Sequence, residues 1–432
     1  MSVARRSFGV LMGSLSVTAA LLAGGCSSLR APVQPPEPQA EVAQDDAFDE
    51  MTVLTEAMLL VRRHYVDELT YKRIVYTAID GLLSGLDPNS SFLPPEPLAH
   101  LEEETRGSFD GIGVSVGADA QGVKVIAPIE DSPAFRAGIH AGDTIMAVDG
   151  KKLSGGSVEE AVKAMRGEKG SPVNVTVERA TGETVEVSLV RDEIKVSSVK
   201  GVKNLGDGIG YVRITQFNEP VADDFARALQ TLGKDRLTGL VVDLRDNPGG
   251  LLESAVAVAE QVLPKGREIV TVRGRDSERP QQRFDAGACE HRETDLPIAL
   301  LVNGGSASAS EVVAGALQAH KRAVVVGERT YGKASVQNVI RMALRPDCAL
   351  RLTTGYYYTP DGQMIHGKGI SPDVEVVVPK AEWRQAQMRR MLEEMPGAAS
   401  GGVTNLVKGV TDVQLERAKE ILKGARILGG NG

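Results

Sequence analysis

The sequence predicts a multidomain protein of mixed α/β and α+β class: a small strand-rich module stands ahead of a layered α/β core, with helical segments at either end. Three observations predict this. Short runs rich in β-branched residues, separated by Gly and Asp, crowd into residues 111–177. From Ile209 onward, strand-like and helical runs alternate, which favours a largely parallel sheet layered with helices. The flanking segments carry apolar residues at helical spacing. At 432 residues the chain has room for two to four domains of about 100–200 residues each.

The first segment reads as an export signal, residues 1–25. Arg5 and Arg6 precede an apolar and small-residue stretch from Phe8 to Ala23 that runs into Gly24, Gly25 and Cys26. Gly9, Gly13, Ser14, Ser16 and Thr18 dilute the stretch, and a spanning helix needs about 20 mainly apolar residues. The residues before Cys26 resemble a bacterial lipobox, although Ala23 stands where Leu is usual. The resemblance implies lipidation at Cys26, with Ser27 favouring the outer membrane and a periplasmic location. Residues 26–47, rich in Pro, Ala, Gln and acid, lack apolar periodicity and read as a disordered tether. Outside the cytosol disulfides persist, so Cys289 and Cys348 form a candidate pair, with two free thiols as the alternative.

Residues 48–106 form an N-terminal helical region, with apolar positions Val53, Met58, Leu59 and Val61 and then Ile74, Ile79, Leu82 and Leu83, ending at Asp87-Pro88. The strand-rich module spans 107–193. Its runs are Gly111–Val116, Val123–Ile126, Thr144–Val148 and Val173–Val177, and it holds one helix, Val158–Met165, capped by Ser157 with Glu160 three residues on. The core, 194–380, sets strands at 209–214, 239–244, 298–302 and 323–326 between helices at 221–232, 252–262 and 309–319. Residues 381–432 form a C-terminal helical region.

The net charge of −8, with no basic block longer than a pair, excludes nucleic acid as a partner class. No His/Cys/Asp cluster has ligand spacing, so neither metal nor cofactor is expected. The chemistry concentrates elsewhere. An apolar strand, Ile298–Val302, runs through a Gly-rich turn into a helix, and Ser308 sits at that turn. Ser308 with Glu311 also fits a capping box, so the hydroxyl reads either as a helix cap or as a nucleophile beside helix N–H groups. None of His64, His100, His140, His291, His320 and His366 stands in a triad context, and no G-x-S-x-G elbow surrounds Ser308. Lysine is left as the base. Gly327 to Lys333 fits the first seven places of a phosphate-binding loop, but Ala334 stands where that loop needs Ser or Thr for Mg²⁺.

Ser306-Ala307-Ser308-Ala309-Ser310-Glu311, followed by Gly332-Lys333-Ala334-Ser335-Val336-Gln337, resembles the active site of the C-terminal processing (tail-specific) proteases, a Ser/Lys family with a PDZ domain. Asp243-Leu244-Arg245-Asp246-Asn247-Pro248-Gly249-Gly250, Leu86-Asp87-Pro88, Gly111-Ile112-Gly113-Val114 and Tyr358-Thr359-Pro360-Asp361-Gly362 extend the likeness over nearly the whole chain after the tether. The resemblance implies a serine endopeptidase acting through an acyl-enzyme. Ser308 is then the nucleophile, Lys333 the general base and Gln337 the residue that orients the lysine, with the N–H groups of Gly250 and Ala309 as the oxyanion hole. The family's serine and lysine stand 25 residues apart, as here, which selects Ser308 over Ser306 and Ser310. Ala334 departs from the family's usual Gly, a change that matters only if the backbone there needs a positive φ.

The strand-rich module resembles a permuted bacterial PDZ domain, with Gly111, Ile112 and Gly113 as its carboxylate loop. It implies that substrates present free, apolar C-termini, with an activating adaptor or self-association as further partners. Four-residue spacing brings side chains together on a helix and sets them about 13 Å apart on a strand. Contact between Lys333 and Gln337 therefore predicts a helical turn there. The rival readings are a silent or partner-activated PDZ scaffold and, more remotely, a P-loop nucleotide hydrolase.

Overall fold

A computed structural model describes residues 47–119, 122–129, 131–153, 157–179, 181–233, 237–275, 281–287, 295–394 and 409–429. The signal, most of the tether and Cys289 lie outside these residues. The chain forms two units, one ending at Ile74 and the other covering Val75–Gly432. Helix α1 (Ala47–His64) belongs to the first, and none of its residues is buried. Helix α2 (Tyr71–Ser84) runs across the boundary. In the second unit come β1 (Ser91–Leu93) and α3 (Pro95–Arg106), which starts on a proline and ends at Gly107 in the left-handed region, φ 66°. Proline suits the first helical turn and glycine the stop. A Cβ at Gly107 would also lie 2.2 Å from Asn218 Nδ2, so glycine alone fits this junction.

The module that follows comprises β2 (Ser108–Gly111), β3 (Val114–Asp119), β4 (Gly122–Pro128), α4 (Pro133–Arg136), β5 (Thr144–Val148), β6 (Lys151–Lys152), α5 (Val158–Met165), β7 (Pro172–Glu178), β8 (Thr184–Val190) and β9 (Asp192–Lys195). Strands β3-β4-β5-β7-β8 form an antiparallel sheet with β6 on β5, and β2 pairs separately with β9. Alternation along β7 buries Val173, Val175 and Val177 against Ala161 and Met165 of α5. Ser157 caps α5 as its spacing predicts, accepting from the Glu160 N–H at 3.2 Å.

The core contains β10 (Val199–Asn204), β11 (Ile209–Ile214), α6 (Val221–Gly233), β12 (Gly239–Asp243), α7 (Leu252–Glu260), β13 (Glu268–Gly274), β14 (Gln282–Asp285), β15 (Ile298–Val302), α8 (Ala309–Ala319), β16 (Ala323–Gly327), β17 (Ser335–Met342), β18 (Arg345–Tyr358), β19 (Val374–Glu375), α9 (Lys380–Glu394) and α10 (Val413–Gly429). One sheet runs β10-β11-β12-β15-β16-β19, parallel throughout except for β10. Strands β12 and β15 are wholly buried because both faces are covered. Val242, Leu300 and Val325 face the layer of α6, α7 and α8, whereas Val241, Leu301 and Val326 meet Ala418 and Leu422 of α10. A second sheet, not read from the sequence, is built on the 14-residue β18, which pairs with β1, β13 and β17, while β14 extends it from β13.

The C-terminal helical region closes over the loop that follows β12. Arg245 is fully buried there. Its Nε and Nη2 donate to Asp243 at 2.9 and 2.6 Å, and Nη1 and Nη2 donate to Asp412 at 2.8 Å each. The Trp383 ring of α9 lies 4.8 Å away, and Arg390 donates to Asp243 at 3.2 Å. Burial works against the Asp243 carboxylate, but the Arg245 guanidinium outweighs it and holds the carboxyl at about 2. Because the folded-state value is depressed, this stabilisation is present above the ordinary carboxylate value of about 3.9 and is lost as pH falls toward 2.

Cys348 is a buried free thiol whose Sγ lies 3.3 Å from the Tyr76 hydroxyl, in a cluster with Leu83 and Phe92.

Replacing Arg245 with Met strands the buried Asp243 charge, so the Arg245→Met variant is expected to lose about 3–5 kcal/mol in urea unfolding at neutral pH. That loss should shrink as the pH is lowered from about 4 toward 2, where Asp243 takes up its proton.

Candidate active site

The parallel strands β12 and β15 are neighbours, and the loops leaving their carboxyl ends meet. In open α/β sheets this edge is where ligands bind. The loop after β12 carries Gly249 and Gly250, and the loop after β15 carries Ser308. Two flanking serines bind them together. Ser306 Oγ donates to the Leu244 carbonyl at 2.7 Å, and Ser310 Oγ donates to the Asn247 carbonyl at 2.9 Å, both fully buried. Ser308 alone of the three lines the cleft.

Ser308 has φ 55° and ψ −115°. An ordinary N-cap residue is extended, so this one is held in a sparsely populated conformation of the kind found at functional sites. Gly249 packs against it: a Cβ there would lie 2.8 Å from Ser308 Cβ and 2.9 Å from the Ala309 nitrogen. Gly249 and Gly250 have φ of 106° and 145°, which only glycine adopts without strain. Among the described residues the N–H groups of Gly250 and Ala309 donate to no other group, so two unspent donors flank the serine.

The strongest organiser of the site is Glu311, which in the sequence is only the second half of a capping box with Ser308. Its carboxylate is wholly buried. Oε2 accepts from the Ser308 and Lys333 N–H groups at 2.8 Å each, and Oε1 accepts from the Gly332 N–H at 2.7 Å and the Thr330 hydroxyl at 2.5 Å. One carboxylate thereby clamps the Ser308 turn to the Lys333 loop. Tyr357 of β18 adds a second clamp, its hydroxyl donating to the Ser308 carbonyl at 3.0 Å and also to the Lys333 carbonyl. A buried acid three residues after the serine was the available signal for the first; nothing local marked the second.

Lys333 is half-buried and lines the same cleft of about 410 Å³ as Ser308, Gln337, Phe217, Val312 and Arg351. Burial lowers its amine from the ordinary lysine range; Arg351 pushes the same way, and Asp87 and Glu311 push against it. Both carboxylates are engaged elsewhere. Asp87 accepts from the Asn89 and Ser90 N–H groups and from the Ser90 and Thr353 hydroxyls. Among the described residues Lys333 makes no ion pair, and it forms no hydrogen bond with the Ser308 hydroxyl.

The helical turn expected at Lys333–Gln337 does not form. Residues from Ser335 onward are β17, paired with β18, and a register shift falls between Val336 and Gln337. Pairing with β18 satisfies the backbone that a helix would have satisfied internally. Gln337 donates to Thr353 Oγ1 at 3.3 Å, and Thr353 donates to Asp87 at 3.2 Å. The same topology removes the phosphate-loop reading, since Lys333 leads into a strand where such a loop needs a helix N-terminus. Ala334 is buried without a positive φ, so its methyl takes the place of Gly without backbone strain.

Two of the histidines near the core hold the framework. His320 lies 2.7 Å from the Glu268 carbonyl, and His366 Nδ1 lies 3.3 Å from the Ala334 nitrogen. No group of three or more His, Cys, Asp or Glu that could hold a metal occurs among the described residues, nor is any helix among them long and apolar enough to cross a membrane.

In the small module, Gly111, Ile112 and Gly113 border an apolar pocket with Phe109, Val162 and Met165, between the loop and α5. The carbonyls of Ile112 and Gly113 are tied down by the Ala134 and Ile129 N–H groups at 2.8 and 2.9 Å. The N–H groups of Ile112 and Gly113 donate to nothing among the described residues.

The family model of peptidase family S41 matches residues 208–376, and that of the PDZ domain matches residues 98–178. A carboxy-terminal-processing protease of Bartonella bacilliformis is 44% identical over 327 residues, covering 74% of each chain. The carboxy-terminal processing protease CtpB of Bacillus subtilis is 32% identical over 349 residues, 80% of this chain and 71% of that one. A solved photosystem II D1 C-terminal processing protease is 32% identical, covering 76% of this chain and 93% of that one at a TM-score of 0.43. The chain belongs to peptidase family S41, the carboxy-terminal-processing proteases, and is a serine protease carrying a PDZ domain ahead of its catalytic core.

Glu311→Gln replaces a charged acceptor with a neutral one at four buried hydrogen bonds. It is expected to destabilise the fold by about 1.5–3 kcal/mol in chemical unfolding and to lower peptide cleavage more than substrate binding.

Proposed function

We propose that this protein is an endopeptidase that grips the free C-terminus of a protein substrate on its PDZ domain and cleaves it with a Ser308/Lys333 dyad. The observation that carries the reading is the convergence at one cleft of a strained serine, two backbone donors and a lysine that, among the described residues, have no hydrogen-bond or ion-pair partner respectively.

In this reading the neutral Lys333 amine takes the Ser308 proton as Oγ attacks the scissile carbonyl carbon. The Gly250 and Ala309 N–H groups receive the oxyanion, a contribution typically worth about 3–4 kcal/mol for one donor. Protonated Lys333 then passes the proton to the leaving amine as the C–N bond breaks, leaving an acyl-Ser308. Water, deprotonated by Lys333, hydrolyses the ester and restores both residues. Ser308 and Lys333 lack a hydrogen bond without substrate, and such contacts commonly tighten only when substrate is bound. Gln337, turned toward Thr353, orients the lysine once the cleft is occupied.

The substrate tail adds as a strand beside the Gly111-Ile112-Gly113 loop, whose free N–H groups receive its carboxylate. The adjoining apolar pocket favours an apolar last residue. Export through residues 1–25 and lipid attachment at Cys26 place the enzyme on a bacterial membrane facing unfolded or tail-bearing exported proteins.

The test is cleavage of an unstructured protein with an apolar C-terminus by the purified chain and by its Ser308→Ala and Lys333→Ala variants. Wild-type cleavage with loss of at least about 10³-fold in both variants supports the dyad; equal cleavage by all three overturns it. Amidating the substrate terminus is expected to raise KM more than it lowers kcat. Because the base works only when neutral, kcat/KM should fall as pH drops through the Lys333 value, along a limb lying below the ordinary lysine range of about 10.4.

A further inference from the structure

Arg351 occupies the middle of β18, opposite Ser91 of β1 and Val339 of β17, so its backbone is fixed from both sides. Its side chain lines the catalytic cleft with Lys333 and Ser308. The buried Nε has no hydrogen-bond partner, and among the described residues the guanidinium makes no ion pair. A half-buried arginine without a carboxylate is unusual, because desolvating a charge is costly unless it is paired.

The groups facing Lys333 come from several elements. Asp87 lies on the loop between α2 and β1, Glu311 on α8, and Arg351 and the Tyr357 hydroxyl on β18. His366 stands at the neighbouring Ala334 nitrogen. The two carboxylates spend their lone pairs on their own surroundings, as described above, and neither reaches Arg351 or Lys333 as an ion pair. Glu104 of α3 and Glu253 of α7 also line the cleft, but both are solvent-exposed, and among the described residues neither forms an ion pair with Lys333 or Arg351. Arginine does not give up its proton in proteins, whereas a desolvated lysine does so readily.

We propose that Arg351 is a positioning residue that acts through Lys333: its fixed, unpaired charge repels the ammonium form and keeps the amine as a proton acceptor. Burial alone would prepare the base only partly, since Lys333 is only half-buried. Arg351 supplies the remainder without touching the reacting atoms. The inference rests on Lys333 being the base.

The experiment compares the full chain with its Arg351→Gln, Arg351→Met, Arg351→Lys and Lys333→Ala variants, each checked for an unchanged thermal midpoint. The probe is a small fluorophosphonate, which Ser308 attacks to form an O–P bond with loss of fluoride while the serine proton passes to the base. Its rate across pH reads the base without peptide binding. The expected result is an acid limb displaced upward by about one pH unit in both neutral variants, with labelling near pH 7 roughly tenfold slower and the wild-type rate approached at high pH. Arg351→Lys should restore the wild-type limb. An unmoved limb overturns the proposal, whether labelling is normal and only peptide KM rises, as for a substrate contact, or the rate falls equally at every pH, as for a structural role. Lys333→Ala labelling as fast as wild type would instead remove the dyad itself.

Discussion

A single buried carboxylate holds the catalytic arrangement together. Glu311 sits one turn into α8, where the helix N-terminus favours negative charge, and accepts four hydrogen bonds at 2.5–2.8 Å from Ser308, Thr330, Gly332 and Lys333. The serine and lysine come from loops that follow different strands, β15 and β16. Charge-assisted bonds from main-chain donors fix their relative position, and Tyr357 repeats the connection from the opposite sheet. The strained backbone of Ser308 is affordable because these contacts over-determine it.

The electrostatics of the cleft follow from how its acids are employed. A free carboxylate beside Lys333 would favour its ammonium form. Asp87 and Glu311 are close enough to act on the amine, yet both are saturated by nearby donors and serve as structural anchors. The Gly249-Gly250 side of the cleft depends on a different network. The Gly249-Gly250 loop rests on Arg245, whose charge is divided between Asp243 and Asp412 under the Trp383 ring. The C-terminal helices are thus part of the foundation of the loop that faces the serine, although none of their residues lines the catalytic cleft.

The PDZ domain and the core meet at the end of α3. Helix α3 ends at Gly107, whose carbonyl accepts from the Val196 N–H at 2.9 Å, and Thr105 accepts from the Glu219 N–H at 2.9 Å. Leu101, Glu104 and Thr105 of the same helix line the catalytic cleft. One helix end therefore borders both the entry to the PDZ domain and the cleft.

Much of this architecture was legible in order along the chain. Period-two alternation in β7, the Ser157 cap of α5, and the alternating strands and helices from Ile209 to Ala319 are local patterns, and local patterns determine local structure. Motif spacing singled out Ser308, Lys333 and Gly250, which line one cleft. The second sheet was not legible, since β18 is half-exposed and mixed in polarity, and two of its partners, β1 and β13, lie far from it in sequence, with β17 joined to it by a short hairpin. The same pairing made a strand of Ser335–Met342 where side-chain spacing predicted a helical turn, because hydrogen bonding to a neighbouring strand outweighed a local preference. The sequence by itself determined the local elements of the small module and of the parallel core, the module order and the candidate residues of the cleft. Only the tertiary structure decided that Glu311 joins the two loops, that Gln337 turns to Thr353 and that Arg351 stands unpaired in the cleft, because each depends on which distant groups the folded backbone brings within a few ångströms.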